Sequence, residues 1–231
     1  LTSLKIDYKK FLGEDAYVDL SADETANSYI ITGAGFYKLN ATVCGNGLTV
    51  EGLDAPSAIE PDGAKLVWQS VKGMISDIDL KDGYITFTAA KSAGNAVIAA
   101  TKDGKIVWSW HIWNPGFEVK ALPAVTGYEI MDLHLGATNK GEQVVDIDTF
   151  GLLYQWGRKD PFPGSPVLSG TTSTLPIVVY NEEGNPVSIS NSSWYNTTNN
   201  TLEYSIQNPT VVLSNYSQYS TSRDWLKDGS S

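Results

Sequence analysis

GNAVIAATKDGKIVWSWHIW, residues 94–113, is the stretch on which the predicted fold depends, and it reads as a single β-hairpin. Asp103-Gly104 separates its two apolar runs, and Asp-Gly is a favoured two-residue hairpin turn because both positions accept a positive φ. The stretch holds three of the seven tryptophans, so we expect it to contribute to a core. The predicted pairs are Lys102 with Lys105, Ala99 with Trp108, and Val97 with Trp110.

Side chains alternate along a strand, so the second strand of this hairpin has two different faces. One face is apolar throughout and is expected in the core; it comprises Ile106, Trp108, Trp110 and Ile112. The other face is mixed; it comprises Val107, Ser109, His111 and Trp113. His111 beside Trp113 leaves two interpretations open, a binding surface or a packed strand with a hydrogen-bonded histidine, and the second is the commoner arrangement.

Short apolar runs separated by glycine-rich turns precede this hairpin. We predict a connection of hairpin type at Gly33-Ala34-Gly35 and a second hairpin turn at Lys81-Asp82-Gly83. The predicted strands are 28–32, 36–44, 64–69, 75–80 and 84–88. Strands of this length and spacing predict a mainly β fold, with an antiparallel β-sandwich over residues 1–118.

The composition changes after Pro115, and we place a domain boundary near residue 119. Residues 119–231 are expected to form a smaller α+β domain. Its predicted elements are a strand at 128–135 and a helix at 146–158, capped by Asp148 or Thr149 and ended by Gly157, with Phe150, Leu153 and Trp156 as its buried stripe. Residues 170–222 form a Ser/Thr/Asn-rich excursion, since 26 of these 53 residues are Ser, Thr or Asn; short strands are expected at 177–180 and 210–213.

Composition excludes several classes of function. The net charge of −10 and the pI near 4.6 argue against nucleic-acid binding and against anionic membrane surfaces. Cys44 is the only cysteine, so no internal disulfide framework exists, and no apolar run approaches membrane-spanning length. The chain has neither an initiator Met nor a signal peptide, so we expect it to be a processed or trimmed piece.

Candidate catalytic and metal-binding patterns are weak. His111 and His134 have no neighbouring Cys or second His, as a zinc site would require. Asp77, Asp79 and Asp82 resemble a calcium loop only with the third acid displaced by one position, and a solvated hairpin end explains them better. The sequence contains no nucleophile elbow, no phosphate-binding loop and no dinucleotide fingerprint. We therefore predict no catalytic residues, no metal, no cofactor and no enzymatic activity.

Aromatic residues among amides and hydroxyls are the most suggestive surface feature. Trp194 and Tyr195 lie among Asn and Ser residues, and Tyr180 precedes them in the same excursion. A flat aromatic face beside hydrogen-bonding groups is the combination that sugar recognition uses, so Trp194, Tyr195 and Tyr180 are the predicted glycan contacts. The alternative is that Trp194 folds back as an anchor for a long loop.

The order of several segments resembles a family of Bacteroidales cell-surface proteins, the fimbrillin-associated, tip-type and major-paralogous-type proteins. The segments, in chain order, are DLSADETANSYII, FYKLNATVCGNG, the hairpin GNAVIAATKDGKIVWSWHIW, IMDLHLGAT and GLLYQWGRKDPFPG. The resemblance implies export, generally as a lipoprotein, and a β-sandwich followed by a domain similar to C-type-lectin-like or formylglycine-generating-enzyme-like folds. Two departures matter. Asn27-Ser28 stands where relatives have Asn-Cys, and relatives continue beyond the DWL segment, so we expect an incomplete second domain and a partner for Cys44 outside this chain.

The favoured function is that of a non-enzymatic bacterial cell-surface or fimbria-associated protein in adhesion or assembly, located at the outer-membrane surface or outside the cell. Its expected partners are pilin subunits or host and dietary glycans, with any lipid anchor upstream. The alternative is a carbohydrate-binding surface module for glycan capture. A third reading, an enzyme of glycan or sulfatase-maturation type, rests on fold analogy alone.

Overall fold

The computed structural model describes residues 16–48, 58–123, 127–141, 147–163, 179–187, 195–196 and 201–213. The predicted mainly β class is confirmed. The strands are β1 (Val18–Asp19), β2 (Ser28–Ile30), β3 (Gly35–Asn40), β4 (Gly63–Gln69), β5 (Ile75–Lys81), β6 (Tyr84–Ala89), β7 (Gly94–Lys102), β8 (Lys105–Asn114), β9 (Ala121–Pro123), β10 (Glu129–Met131), β11 (Leu152–Tyr154), β12 (Pro161–Pro163), β13 (Val179–Tyr180), β14 (Pro186–Val187), β15 (Tyr195–Asn196) and β16 (Val212–Leu213). In the same residues, the helices are α1 (Leu202–Gln207) and a 3-10 turn (Ile147–Thr149).

Two four-stranded sheets contribute to one hydrophobic core. Their strand orders are β1-β3-β6-β5 and β2-β8-β7-β4. The core forms because alternate residues of each strand are apolar: Ile85 and Phe87 of β6 are fully buried, while Tyr84, Thr86 and Thr88 between them are half-buried. Core residues of the second sheet include Ala96, Ile98, Trp110 and Ile112. The hairpin that opens the sequence argument is therefore the centre of one layer.

The register of this hairpin agrees with the prediction at the turn and differs beyond it. Asp103 and Gly104 both have positive φ, at 50° and 75°, and Lys102 pairs with Lys105. A β-bulge then adds one residue, Val107, to β8, which moves every later pair by one position. The observed pairs are Ala100 with Trp108, Ile98 with Trp110 and Val97 with His111. The predicted pairs of Ala99 with Trp108 and Val97 with Trp110 were therefore wrong.

The bulge also changes the predicted faces of β8. Val107, assigned to the mixed face, packs partly buried against the core. Trp108 is half-buried there as well, and its Nε1 donates to Asn27 Oδ1 at 3.2 Å. Trp110 and Ile112 lie in the core as predicted.

The first two strands join different sheets, which corrects the hairpin predicted at Gly33–Gly35. β1 runs parallel to β3, and β2 runs parallel to β8, with Ser28 opposite His111 and Ile30 opposite Trp113. The ladder is extended because Ile31 N donates to Trp113 O at 2.8 Å. The chain therefore crosses from one sheet to the other between β2 and β3.

The helix predicted at 146–158 was wrong for the residues described there. After the short 3-10 turn, Gly151 takes a φ of 67°, which ends helical geometry, and β11 follows and pairs antiparallel with β12. A Cβ at Gly151 would lie 2.4 Å from Leu135 O, so the backbone of this segment packs directly on its neighbour. The predicted strand at 128–135 is shorter than expected and corresponds to β10.

The smaller strands form two-stranded ribbons, β9 with β10, β11 with β12, β13 with β14, and β15 parallel to β16. The strands predicted at 177–180 and 210–213 correspond to β13 and β16 in their described residues. α1 begins with Thr201, whose side chain accepts a hydrogen bond from Tyr204 N. The boundary near residue 119 stays a prediction.

Candidate functional site

The mixed face of β8 is covered by segments that follow it in the chain. Ser109, His111 and Trp113 are all buried, and Trp113 Nε1 donates to Ala137 O at 2.9 Å. The alternation of β8 turns these side chains away from the core residues Trp110 and Ile112. This face is therefore an internal contact between the hairpin and the later segments.

His111 lies in a closed hydrogen-bond network on this face. Its Nε2 is 2.9 Å from Asn95 Oδ1, and its Nδ1 is 3.2 Å from Ser28 Oγ. Asn95 Nδ2 donates to Gly136 O at 2.9 Å, so the Asn95 oxygen accepts and His111 is the neutral tautomer protonated at Nε2. Complete burial lowers the pKa of His111 to about 3. The network therefore favours a neutral, structural histidine.

A buried ion pair lies farther along the same face. Lys159 Nζ is 2.7 Å from Asp160 Oδ1, and the Ser109 hydroxyl donates to the same oxygen at 2.6 Å. Lys159 also donates to Ser109 Oγ and stands 4.6 Å from the centroid of the Trp108 ring. Burial lowers the pKa of Lys159, and the charge of Asp160 opposes that shift.

Serine beside lysine is a pairing that nucleophilic enzymes use, with the amine as the base. Here Ser109 is 2% exposed, and its hydrogen is given to Asp160. The ammonium of Lys159 is held by the same carboxylate. This arrangement joins β8 to the segment before β12 and presents no accessible nucleophile.

Arg158 connects a third region to this assembly. Its guanidinium donates to backbone carbonyls at the end of α1 and just beyond it: Ser205 O at 3.2 Å, Asn208 O at 3.1 Å, and Val211 O. It also lies 5.3 Å from the Phe162 ring centroid. A cation at a helix C-terminus complements the helix dipole and satisfies carbonyls that lack partners within the helix.

A tight turn between β11 and Arg158 presents a tryptophan. Arg158 N donates to Gln155 O at 2.9 Å, and Gly157 takes a φ of 76°. Gln155 bonds through both of its side-chain polar atoms to the backbone of Leu213. Trp156, between these anchored residues, is 92% exposed. The buried stripe predicted for Phe150, Leu153 and Trp156 was therefore wrong, because all three side chains are exposed.

The predicted glycan contacts are only partly described. Tyr180 is half-buried in β13, and burial raises its pKa, with the charge of Asp148 adding to the shift. Tyr195 begins β15, which belongs to a different ribbon from β13. Trp194 lies outside the described residues. This set stays a prediction.

Metal and thiol chemistry have little support in the described part of the chain. There, no group of three or more His, Cys, Asp or Glu side chains is arranged to hold a metal ion. Cys44 is buried, and burial raises the pKa of its thiol to about 11 against the opposing charge of Lys159. A thiol with such a pKa is a weak nucleophile at neutral pH.

Comparison with known proteins gave no match among protein-family models, curated proteins or solved structures. The functional argument therefore depends on the residues and their geometry.

Proposed function

We propose that this chain belongs to an exported, non-enzymatic bacterial surface protein that acts in adhesion or assembly, with pilin subunits or glycans as its partners. The resemblance of its segments to Bacteroidales surface proteins and its β-rich, acidic composition support this proposal.

The observation that carries the proposal is how the reactive side chains of the mixed face of β8 are used. Ser109, His111, Lys159 and Asp160 hold the later segments against the hairpin through buried hydrogen bonds. Side chains consumed in this way stabilise a scaffold and leave recognition to surface residues. Among the helices described, none has the length and apolar character needed to cross a bilayer.

Labelling of intact cells tests the location. A membrane-impermeant amine reagent should label this protein on intact cells as strongly as on lysed cells, while a cytosolic marker is labelled only after lysis. Labelling that requires lysis would contradict the proposal.

Adhesion or assembly is tested with purified protein. Beads carrying the chain should retain pilin subunits or adhere to glycan-bearing surfaces, whereas beads carrying urea-unfolded chain should not. Equal retention by folded and unfolded chain would count against a specific role.

Glycan capture is the second candidate function, and one structural observation favours it. The exposed indole of Trp156 projects from an anchored turn, as a sugar-binding aromatic would. Its consequences are developed below.

A further inference from the structure

The turn Gln155–Arg158 holds its exposed tryptophan in a fixed place. Both residues at the ends of the turn are bonded into α1, β16 and the residues between them. Gly157 supplies the left-handed conformation that the turn requires. The position of the Trp156 backbone is therefore set by buried contacts on either side of it.

Exposure of an indole at such a place has a cost. A tryptophan left in solvent forgoes the burial that would stabilise the fold, and tryptophan is among the residues that most often dominate binding energy at recognition surfaces. Because the turn is held in advance, little backbone freedom would be lost when a ligand stacks on the ring.

The surrounding charges indicate a neutral ligand. The two cations that follow this turn are both buried and engaged, Arg158 with carbonyls and Lys159 with Asp160. Residues 170–222 contain neither Lys nor Arg, and the chain carries a net charge of −10. Polyanions would meet repulsion without a compensating cation from these residues.

The partners of the turn belong to the part of the chain richest in sugar-compatible groups. Ser205, Asn208 and Leu213, which receive its hydrogen bonds, all lie within the excursion 170–222, where 26 of 53 residues are Ser, Thr or Asn. Hydroxyls and amides can serve both as donors and as acceptors, as sugar hydroxyls demand. A protein interface of standard size covers about 800 Å² on each partner, whereas one indole matches one sugar ring.

We propose that Trp156 is the stacking residue of a binding site for neutral carbohydrate, in which the apolar face of a pyranose ring lies on the indole. This inference rests on the proposed surface function and names its partner class.

The test uses the full chain, fluorescently labelled, on an array of neutral, sialylated and sulfated oligosaccharides. Electrophoresis in gels containing a soluble β-glucan or α-mannan gives affinities. The wild type should bind neutral sugars, and Trp156→Ala should weaken binding at least about tenfold. Trp156→Phe should fall between them because it keeps a smaller ring.

Tyr128→Ala is the matched control, since Tyr128 is also an exposed aromatic, 75% accessible, in the turn between β9 and β10. It should bind as the wild type does. Equal binding by Trp156→Ala and wild type would overturn the inference, as would a wild type that binds only charged sugars or none. Loss of a protein partner in Trp156→Ala without any sugar binding would assign the indole to a protein interface and would also overturn it.

The surface-labelling experiment separates the two proposals. A protein labelled on intact cells that binds no sugar overturns the carbohydrate site and leaves the surface function in place. A protein protected inside the cell overturns both.

Discussion

Asp160 neutralises a lysine that is buried beside a tryptophan ring. Lys159 and Asp160 side chains are only 11% and 5% exposed, and Ser109 shares the carboxylate oxygen. Removing one partner of a buried pair leaves a charge without compensation, which is more costly than losing an exposed pair. The stability of this part of the molecule therefore depends on Asp160 more than its surface-like sequence context suggests.

Asp160→Ala should lower the free energy of unfolding by about 3–5 kcal/mol, measured by urea denaturation. The control is Lys38→Met, which breaks the more exposed Lys38–Asp19 pair at 3.7 Å and should cost about 1 kcal/mol or less. Similar losses in the two variants would show that the Lys159–Asp160 pair is not held in a desolvated site.

His111 should make stability depend on pH. Its folded pKa is near 3, below the value of about 6.5 usual for an unfolded histidine, so the unfolded chain takes up a proton first as the pH falls. The contribution of a neutral His111 is complete above about pH 6.5 and is lost progressively toward pH 3.

This histidine should account for a loss of about 2 kcal/mol in the free energy of unfolding between pH 8 and pH 5. His111→Gln should remove that part of the pH dependence, as read from urea midpoints at the two pH values. His134→Gln changes an exposed histidine and should retain the full dependence. An unchanged pH dependence in His111→Gln would mean that the ring is charged in the folded state.

At the scale of elements, local turn chemistry was predictable and irregularities were not. Asp103-Gly104 identified the central hairpin because its dihedral requirement is visible in two residues. The bulge at Val107 carries no comparable signal, so the register beyond it was predicted one residue out. The helix expected at 146–158 had capping residues and apolar spacing, but Gly151 is needed where two backbones meet, and that contact with Leu135 is not local.

The same limit applied to the candidate site. Ser109 and His111 were recognised as members of a mixed face, because alternation along one strand is a local property. Their partners were missed, since Asp160 lies 51 residues from Ser109 and sequence spacing carries no sign of that contact. The exposure of Trp156 was missed because a helical period assigned it to a core.

Gly151 supplies a prediction at this scale. Gly151→Ala should lower the free energy of unfolding by more than the strain of about 1–2 kcal/mol expected for an L-residue at positive φ, because its Cβ would also meet Leu135 O. Gly104→Ala is the control. It has a similar φ of 75° and no atom within 4 Å of the added Cβ, so strain alone should apply. Equal effects in urea denaturation would contradict the close approach at Gly151.

At the scale of the whole molecule, the later segments complete the surface of the hairpin layer. Trp113 and His111 are buried partly by contacts with residues 136 and 137, directly or through Asn95. The expected boundary near residue 119 therefore separates two regions that share buried polar bonds.

A fragment comprising residues 1–118 should accordingly be less stable than the full chain by several kcal/mol, on the order of one large buried side chain uncovered. It should unfold at a lower urea concentration and bind more of a hydrophobic dye. A fragment with the same urea midpoint as the full chain would show that the first region is an independent domain.

The parallel pairing of β2 with β8 has a consequence for biogenesis. Ser28 and its partner His111 are separated by 83 residues, so the N-terminal strand has no neighbour until the central hairpin has emerged. Such distant closure slows folding and leaves the early strand open to strangers in the meantime. A chain built this way gains from a chaperone that shields its leading end during secretion.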